Sequence, residues 1–457
     1  LQPISASFRD PSGFVFRDQG TVQRAVHESY RSNYELLMSS GLYEKLIGKG
    51  WLVSHEETSV PEGLGEGIFV VLKPEQVPMI SYPYEWCFSQ LKDAARLTLA
   101  VQDLALTYGM TLKDANAYNI QFLRGQPVLI DTLSFEKREE GEPWVAYRQF
   151  CQHALAPLAV MARTHVSLGR LSREFLDGIP LEVAAKILPW GTRFNLGLFT
   201  HIHLHARQQQ RHGMHPKSRT AKPKISELGM RGIIDSLRST VRKLEYRPDG
   251  TEWGDYYENT NYTDDAFAAK SRLVSAMIKA VAPDLVWDVG ANEGVFSRLA
   301  VEQGIETVSF DIDPAAVEKN YRHMKAKKET TLLPLVLDVT NPSPGLGWAG
   351  EERSTIESRG PADLVMALAL VHHLAISNNV PLSMLADYFA KLGRNLVVEF
   401  VPKSDSQVVH LLRSRHDIFP DYHLDGFEAA FAAKFELMEK VAVAGSDRTM
   451  LRFKTRS

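Results

Sequence analysis

The chain has 457 residues, 44% hydrophobic and 23% charged, with a net charge of −3; this suits two or three folded domains and gives no global attraction to nucleic acid or an anionic membrane, although a local patch can still supply one. Its two cysteines, Cys87 and Cys151, exclude a disulfide framework and a Cys-rich zinc site, no metal is expected, and a reducing cytoplasm suits the chain. The longest apolar stretch, 364–376, carries His372 and His373 and falls short of the about 18 residues a membrane span needs, so no membrane partner is expected; the first ten residues lack a signal-peptide pattern.

Residues 1–80 mix short strand-like runs (13–16, 68–72) with a helical stretch near Tyr30 to Leu46, which predicts a small α+β lobe. Residues 81–205 read as mainly helical, with Phe88, Leu91, Ala95 and Leu99 at helical spacing and one buried strand at 128–130. Residues 206–226 carry Arg207, Arg211, Lys217, Arg219, Lys222 and Lys224 without an acidic residue, and read as a basic linker or an arm for a phosphate-bearing ligand. A connector at 227–275 follows, with a helix placing Leu228, Ile233, Leu237 and Val241 on one side.

From 276 to 457 strands and helices alternate. Strands are expected at 285–287, 307–310, 332–337, 364–369 and 396–398, and a closing pair at 437–443 and 449–453 is separated by Gly445-Ser446-Asp447. Helices are marked by Val295, Phe296 and Leu299, by Val317, Tyr321 and Met324, and by Leu382, Leu385, Phe389 and Leu392. This alternation predicts a mostly parallel sheet with helices on both faces and one antiparallel strand at its end.

The densest motif is Val286-Trp287-Asp288-Val289-Gly290-Ala291-Asn292-Glu293-Gly294, a strand that runs into a Gly-rich turn and then a helix. Its spacing is Asp-x-Gly-x-x-x-Gly, not the dinucleotide Gly-x-Gly-x-x-Gly. Asp311 ends the next strand 21 residues after Gly290, where a carboxylate can accept ribose hydroxyls, and Asp313 before Pro314 reads as a helix cap. Leu337-Asp338-Val339 follows the third strand. Over 257–457 these marks resemble the class I methyltransferases. The resemblance implies a Rossmann-like seven-stranded sheet and an S-adenosyl-L-methionine site. It places the cofactor at Asp288, Gly290, Asn292, Gly294, Asp311, Ile312, Asp338, Val339 and Ala369, with Asp338 toward the adenine.

The family's Asn-Pro-Pro-Tyr is absent; Ala369-Leu370-Val371-His372-His373 stands after the fourth strand. This argues against base N-methylation. His372 is a candidate general base on a hydroxyl, and Glu399, an acid within an apolar strand, is a second catalytic candidate. Tyr257 and Tyr262 in an aromatic and polar segment, with His373 and Lys403, are candidate substrate or lid residues.

In the first half, Asp114 and Asn119 stand five apart and Asp131 closes an apolar run twelve later. The pattern resembles the catalytic and metal-binding loops of protein-kinase-like phosphotransferases. It departs from them: Leu112 stands where a His is expected, and Thr132-Leu133 replaces Phe-Gly. Arg24 is the stand-in for the strand Lys, with Glu35 as its helix partner, and Gly63 to Gly67 is a weak phosphate loop. A degenerate kinase-like domain, with Asp114, Asn119 and Asp131 as vestigial nucleotide or metal residues, is the expectation. The whole chain is loosely similar to bacterial nodulation-type methyltransferases. O-methylation of a small molecule or glycan is expected; the alternatives are a bifunctional or nucleotide-sensing protein whose kinase-like domain binds Mg-ATP, and RNA or protein methylation guided by the basic segment at 207–224.

Overall fold

Apolar runs bounded by Gly, Pro or Asp build the strands of this chain, and those apolar on both faces end up covered on both sides. The computed structural model describes residues 2–207, 224–248, 264–413 and 416–456. The chain divides into two units, Leu1–Arg247 with Gly345–Arg353, and Pro248–Pro344 with Ser354–Ser457.

The first unit opens with a five-stranded antiparallel sheet in the order Gln2–Pro3, Gly13–Asp18, Thr21–His27, Ile68–Pro74, His55–Thr58. The expected helix after Tyr30 is two helices, Arg31–Ser39 and Leu42–Gly48, because Gly41 between them has φ 84°. The helix Phe88–Thr107 buries Phe88, Leu91, Ala95 and Leu99. The region is less helical than its periodicity suggests. Met110–Leu112 pairs with Phe135–Lys137, and Ile120–Leu123 pairs with Gln126–Leu129.

Two boundaries differ from the sequence expectation. The helix Glu227–Lys243, capped by Ser226, lies in the first unit rather than in a connector. It buries Met230, Ile234, Leu237 and Val241, while Leu228 is 82% exposed, and its Arg231 and Arg238 reach Asp103 at 2.8 and 3.0 Å. Residues 345–353 also belong to the first unit: Glu352 pairs with Arg9 at 2.6 Å, and the Arg353 guanidinium lies 4.3 Å from the Tyr118 ring centre. A linear segmentation cannot see that excursion.

The second unit is built on a seven-stranded sheet in the order Leu332–Val336, Glu306–Asp311, Leu285–Val289, Leu364–Ala367, Asn395–Phe400, Thr449–Thr455, Phe435–Ala442. The first five of these are mutually parallel, and Thr449–Thr455 pairs antiparallel with both of its neighbours. This is the methyltransferase-like α/β arrangement. The helix Pro314–Lys327 starts where Asp313 accepts from the Ala315 amide at 2.8 Å. The helix Leu382–Leu392 buries Leu382, Leu385, Phe389 and Leu392 at the expected spacing. Two further helices, Ser406–Leu412 and Leu424–Ala432, escaped the periodicity; the second seats Phe427 and Phe431 in a face-on stack at 4.1 Å.

Trp287, in the central strand, has no solvent exposure and meets Phe310 edge-on at 5.5 Å. Trp287→Ala is expected to cost about 3–5 kcal/mol through lost burial and the cavity it leaves. Urea denaturation followed by far-UV circular dichroism checks this; an unchanged midpoint would contradict it.

Candidate active site

Strand order reverses beside Leu285–Val289, the first strand of the sheet in chain order: the second and third, Glu306–Asp311 and Leu332–Val336, lie on one side of it, and the fourth and fifth, Leu364–Ala367 and Asn395–Phe400, on the other. Ligands of open α/β sheets bind beyond the carboxyl ends of the strands at such a point. The turn that leaves this strand is built for close approach. Gly290 has φ 77°, and a Cβ there would lie 3.1 Å from Leu370 Cδ1. Gly294 has φ 75°, and its Cβ would meet Asn320 Nδ2 at 2.5 Å. Asn292 also takes the left-handed region at φ 51°, which Asn tolerates better than most residues.

Asp311, at the end of the second strand, locks onto that turn. Its carboxylate accepts from the backbone amides of Asn292 at 2.8 Å and Asp313 at 2.9 Å. Burial pushes its carboxyl up to about 6, against the pull of these donors. Ile312 beside it is 48% exposed. Asp338 lies just past the third strand, where its carboxylate accepts from the Thr340 amide at 2.9 Å and hydroxyl at 2.6 Å; Asp338 and Val339 are half-buried. The carboxyl ends of these three strands are adjacent, with Val289 opposite Phe310 and Asp311 opposite Val336. The structure thus brings together Gly290, Asn292, Gly294, Asp311 and the segment at Asp338.

Asp288 is placed differently from the other acids. Its carboxylate points into the protein, 2% exposed, and accepts from Ser297 Oγ at 2.6 Å. Burial pushes it up to about 6, opposed by the Ser297 hydroxyl and the Lys270 ammonium.

After the fourth strand, Ala369 holds φ 50°, a strained backbone for a residue with a side chain. Leu370 touches the Gly290 turn. His372 is 2% exposed, and its Nδ1 has no hydrogen-bond partner among the described residues. Burial, then the charges of His373, Arg448 and Lys270, hold it well below the ordinary histidine value. His373 lies 4.1 Å from it, ring centre to ring centre, and burial with Arg448 lowers it to about 4. Both imidazoles are therefore neutral near pH 7.

Glu399 does not stand free as a base. It has no solvent exposure; Lys270 Nζ lies 2.7 Å from one oxygen and Arg448 Nη1 lies 3.5 Å from the other. Arg448 also holds Asp405 at 2.8 Å. A carboxylate flanked by two buried cations is an ion-pair member, which corrects the catalytic expectation for it. Lys403 is likewise engaged, by Asp417 at 2.7 Å and the Phe419 carbonyl at 2.7 Å. Near this network a cavity of about 250 Å³ is lined by Ser404, Asp405, Ser406, Ser446, Asp447 and Arg448. Tyr257 and Tyr262 lie outside the described residues, as does most of the basic segment at 207–224.

The chain is 34% identical over 466 residues to the nodulation protein NoeA of Rhizobium meliloti (strain 1021), covering 98% of this chain and 95% of that protein. The chain belongs to the NoeA family. No protein-family model matches it. Among solved structures, the N-methyltransferase NodS of Bradyrhizobium japonicum WM9 is similar at 12% identity and a TM-score of 0.32, covering 42% of this chain and 98% of NodS. The magnesium protoporphyrin IX methyltransferase ChlM of Synechocystis PCC 6803, with bound SAH, reaches 16% identity and a TM-score of 0.31 over 44% of this chain and 91% of ChlM. The bifunctional kinase-methyltransferase WbdD reaches 15% identity and a TM-score of 0.29 over 42% of this chain and 40% of WbdD. At these values the fold of the NoeA-family chain rests on its own strand order.

In the first unit the Asp114, Asn119 and Asp131 cluster is built differently from the expectation. Arg24 pairs with Asp10 and lies 3.2 Å from Asp131, while Glu35 is taken by Arg31 at 2.8 Å. Asp131 also accepts from Ser134 Oγ at 2.7 Å and the Leu133 amide at 3.2 Å. Asp114 accepts from the Asn116 amide at 2.9 Å, and burial with the nearby charge of Asp131 raises it. No group of three potential metal ligands occurs among the described residues.

Sequence reasoning missed Lys270, Arg448, Asp405 and Ser297, whose roles come from contacts across 129, 49, 43 and 9 residues. Only the acid in an apolar strand hinted at them. Lys270→Met is expected to cost about 3–5 kcal/mol by leaving Glu399 short of a counter-charge, and Lys270→Met with Glu399→Leu to recover most of it. Urea midpoints of the two variants check this; equal losses would contradict it.

Proposed function

We propose that this chain is an S-adenosyl-L-methionine-dependent methyltransferase acting on a hydroxyl of a small molecule or glycan. The observation that carries the proposal is the meeting of the Gly290–Gly294 turn, Asp311 and Asp338 at three adjacent strand ends. The residues fit the cofactor on physical grounds. Gly290 and Gly294 hold the left-handed backbone that shapes the turn, and Leu370 packs where a Gly290 Cβ would lie. The acids around the turn suit a ligand that carries an ammonium and a sulfonium.

Asp311 retains acceptor capacity beyond its backbone donors Asn292, Asp313 and Ile312, and would take the ribose hydroxyls. Asp338 and Val339 would border the adenine, and Asn292, Ile312 and Ala369 would close the sides. When bound, the cofactor supplies an electrophilic methyl group. The protein's own task is then alignment and exclusion of water. His372 is neutral, and its Nδ1, which has no partner among the described residues, can accept a hydrogen bond from an acceptor hydroxyl and orient it. The serine and carboxylate lining of the cavity at Ser404 to Arg448 suits a polyhydroxyl acceptor. His373 shapes the wall. The first unit is read as positioning or regulating substrate, because Arg24 already gives Asp131 the positive charge that a metal would supply.

Calorimetry tests the cofactor. Binding is expected for the wild type and loss of it for Gly290→Arg; a folded wild type that binds none would end the proposal. Because burial raises Asp311 to about 6, its protonated form persists to higher pH in the folded protein. The stability this gives is full below the ordinary carboxylate value and is lost as pH rises through 6; a bound cation offsets that loss. Cofactor affinity should therefore fall about tenfold per pH unit below 6, and a pH-independent Kd between 4.5 and 7.5 would contradict this. His372→Ala should lower kcat by about 100-fold with little change in cofactor Kd; a kcat within threefold of wild type would remove His372 from the reaction.

A further inference from the structure

We infer that the turn Trp190–Phe194 and its neighbours dock the first unit onto an anionic phospholipid surface. Trp190, Phe194 and Leu196 are 64%, 75% and 80% exposed within seven residues. Single exposed apolar residues are ordinary, but these are gathered: the Trp190 and Phe194 rings meet edge-on at 4.8 Å. Leu204, one helix further on, is also exposed.

The turn is held from beneath and does not merely dangle. Thr192 is buried, donates to the Pro189 carbonyl at 2.7 Å and lies 2.9 Å from His203 Nε2. Asn195 accepts from the Leu198 amide at 3.1 Å and starts the next helix. Gly197 follows, so close to Thr240 that a Cβ would lie 2.0 Å from its hydroxyl. The backbone is anchored while the large side chains project.

Their surroundings are positive. Lys186, Arg193 and Arg207 are exposed. Burial, then the charges of Arg193 and Arg207, lower His203, which is buried beneath the turn against Thr192. No Asp or Glu occurs in the sequence between Glu182 and Glu227. Trp, Phe and Leu that project among cations have the chemistry of the headgroup boundary: rings enter the acyl edge and arginines meet phosphates. Projecting side chains need a soft surface that parts for them, and their cationic rim needs an anionic one. An anionic bilayer offers both. The sequence led to no membrane partner being expected, from the lack of a spanning stretch and a net charge of −3; none of the described helices is long and apolar enough to cross a bilayer, and the contact inferred here is surface docking by a local patch.

Co-sedimentation of the full chain with vesicles of phosphatidylcholine, with and without one-third phosphatidylglycerol, tests this. Binding is expected to the anionic vesicles and to weaken with salt. Trp190→Ala with Phe194→Ala should reduce partitioning at least about tenfold. Arg193→Glu with Arg207→Glu should erase the preference for anionic over neutral vesicles. All four residues are exposed, and an unchanged thermal melt confirms that each variant folds. No binding by the wild type, or equal binding by the aromatic double variant, overturns the proposal. So does light scattering that shows a dimer lost in Trp190→Ala with Phe194→Ala while vesicles bind neither protein, because the patch is then an interface between copies.

Discussion

A glutamate with no exposure to water, inside a strand of a covered sheet, needs compensation from its surroundings or it would unfold the strand. Glu399 finds it in Lys270 and Arg448, and Arg448 in turn holds Asp405. Lys270 comes from the helix Asp264–Val281, Glu399 from the fifth parallel strand, and Arg448 from the closing hairpin. One ionic network therefore ties a helix, a strand and a hairpin of the second unit together. Glu399 and Asp405 place it at the carboxyl end of the fifth parallel strand, beside the cavity lined by Ser404 to Arg448.

The same network conditions the chemistry beside it. Its two cations help keep His372 neutral, and Lys270 partly offsets the burial of Asp288. Two acids near the turn, Asp288 and Asp311, are both raised to about 6 by burial. A site of this kind holds negative charge at a cost and gains from a cation that relieves it. A positively charged methyl donor meets that condition, and a pyrophosphate does not. Electrostatics and the Gly-rich turn thus favour the same class of ligand.

The first unit shows the opposite use of buried charge. Where a phosphotransferase would keep an acid open for a metal, Asp131 is closed by Arg24, Ser134 and a backbone amide. The spacing of Asp114, Asn119 and Asp131 is in the sequence, but spacing records which residues are near one another, not which of them are already satisfied.

The sequence alone determined the strand–helix alternation of residues 276–457, the order of its strands along the chain, the Gly290–Gly294 turn and the acids that end successive strands. These are local: apolar period, cap chemistry and glycine are written within a few residues of one another. Asp313 as a helix cap and the face of Leu382–Leu392 were legible for the same reason. Tertiary structure alone decided that Glu399 is an ion-pair member, that Arg24 turns to Asp131 while Glu35 turns to Arg31, and that residues 345–353 belong with the first unit. Each of these depends on a partner many residues away. A charged side chain chooses among distant counter-charges by burial and reach, and neither quantity exists until the chain has folded.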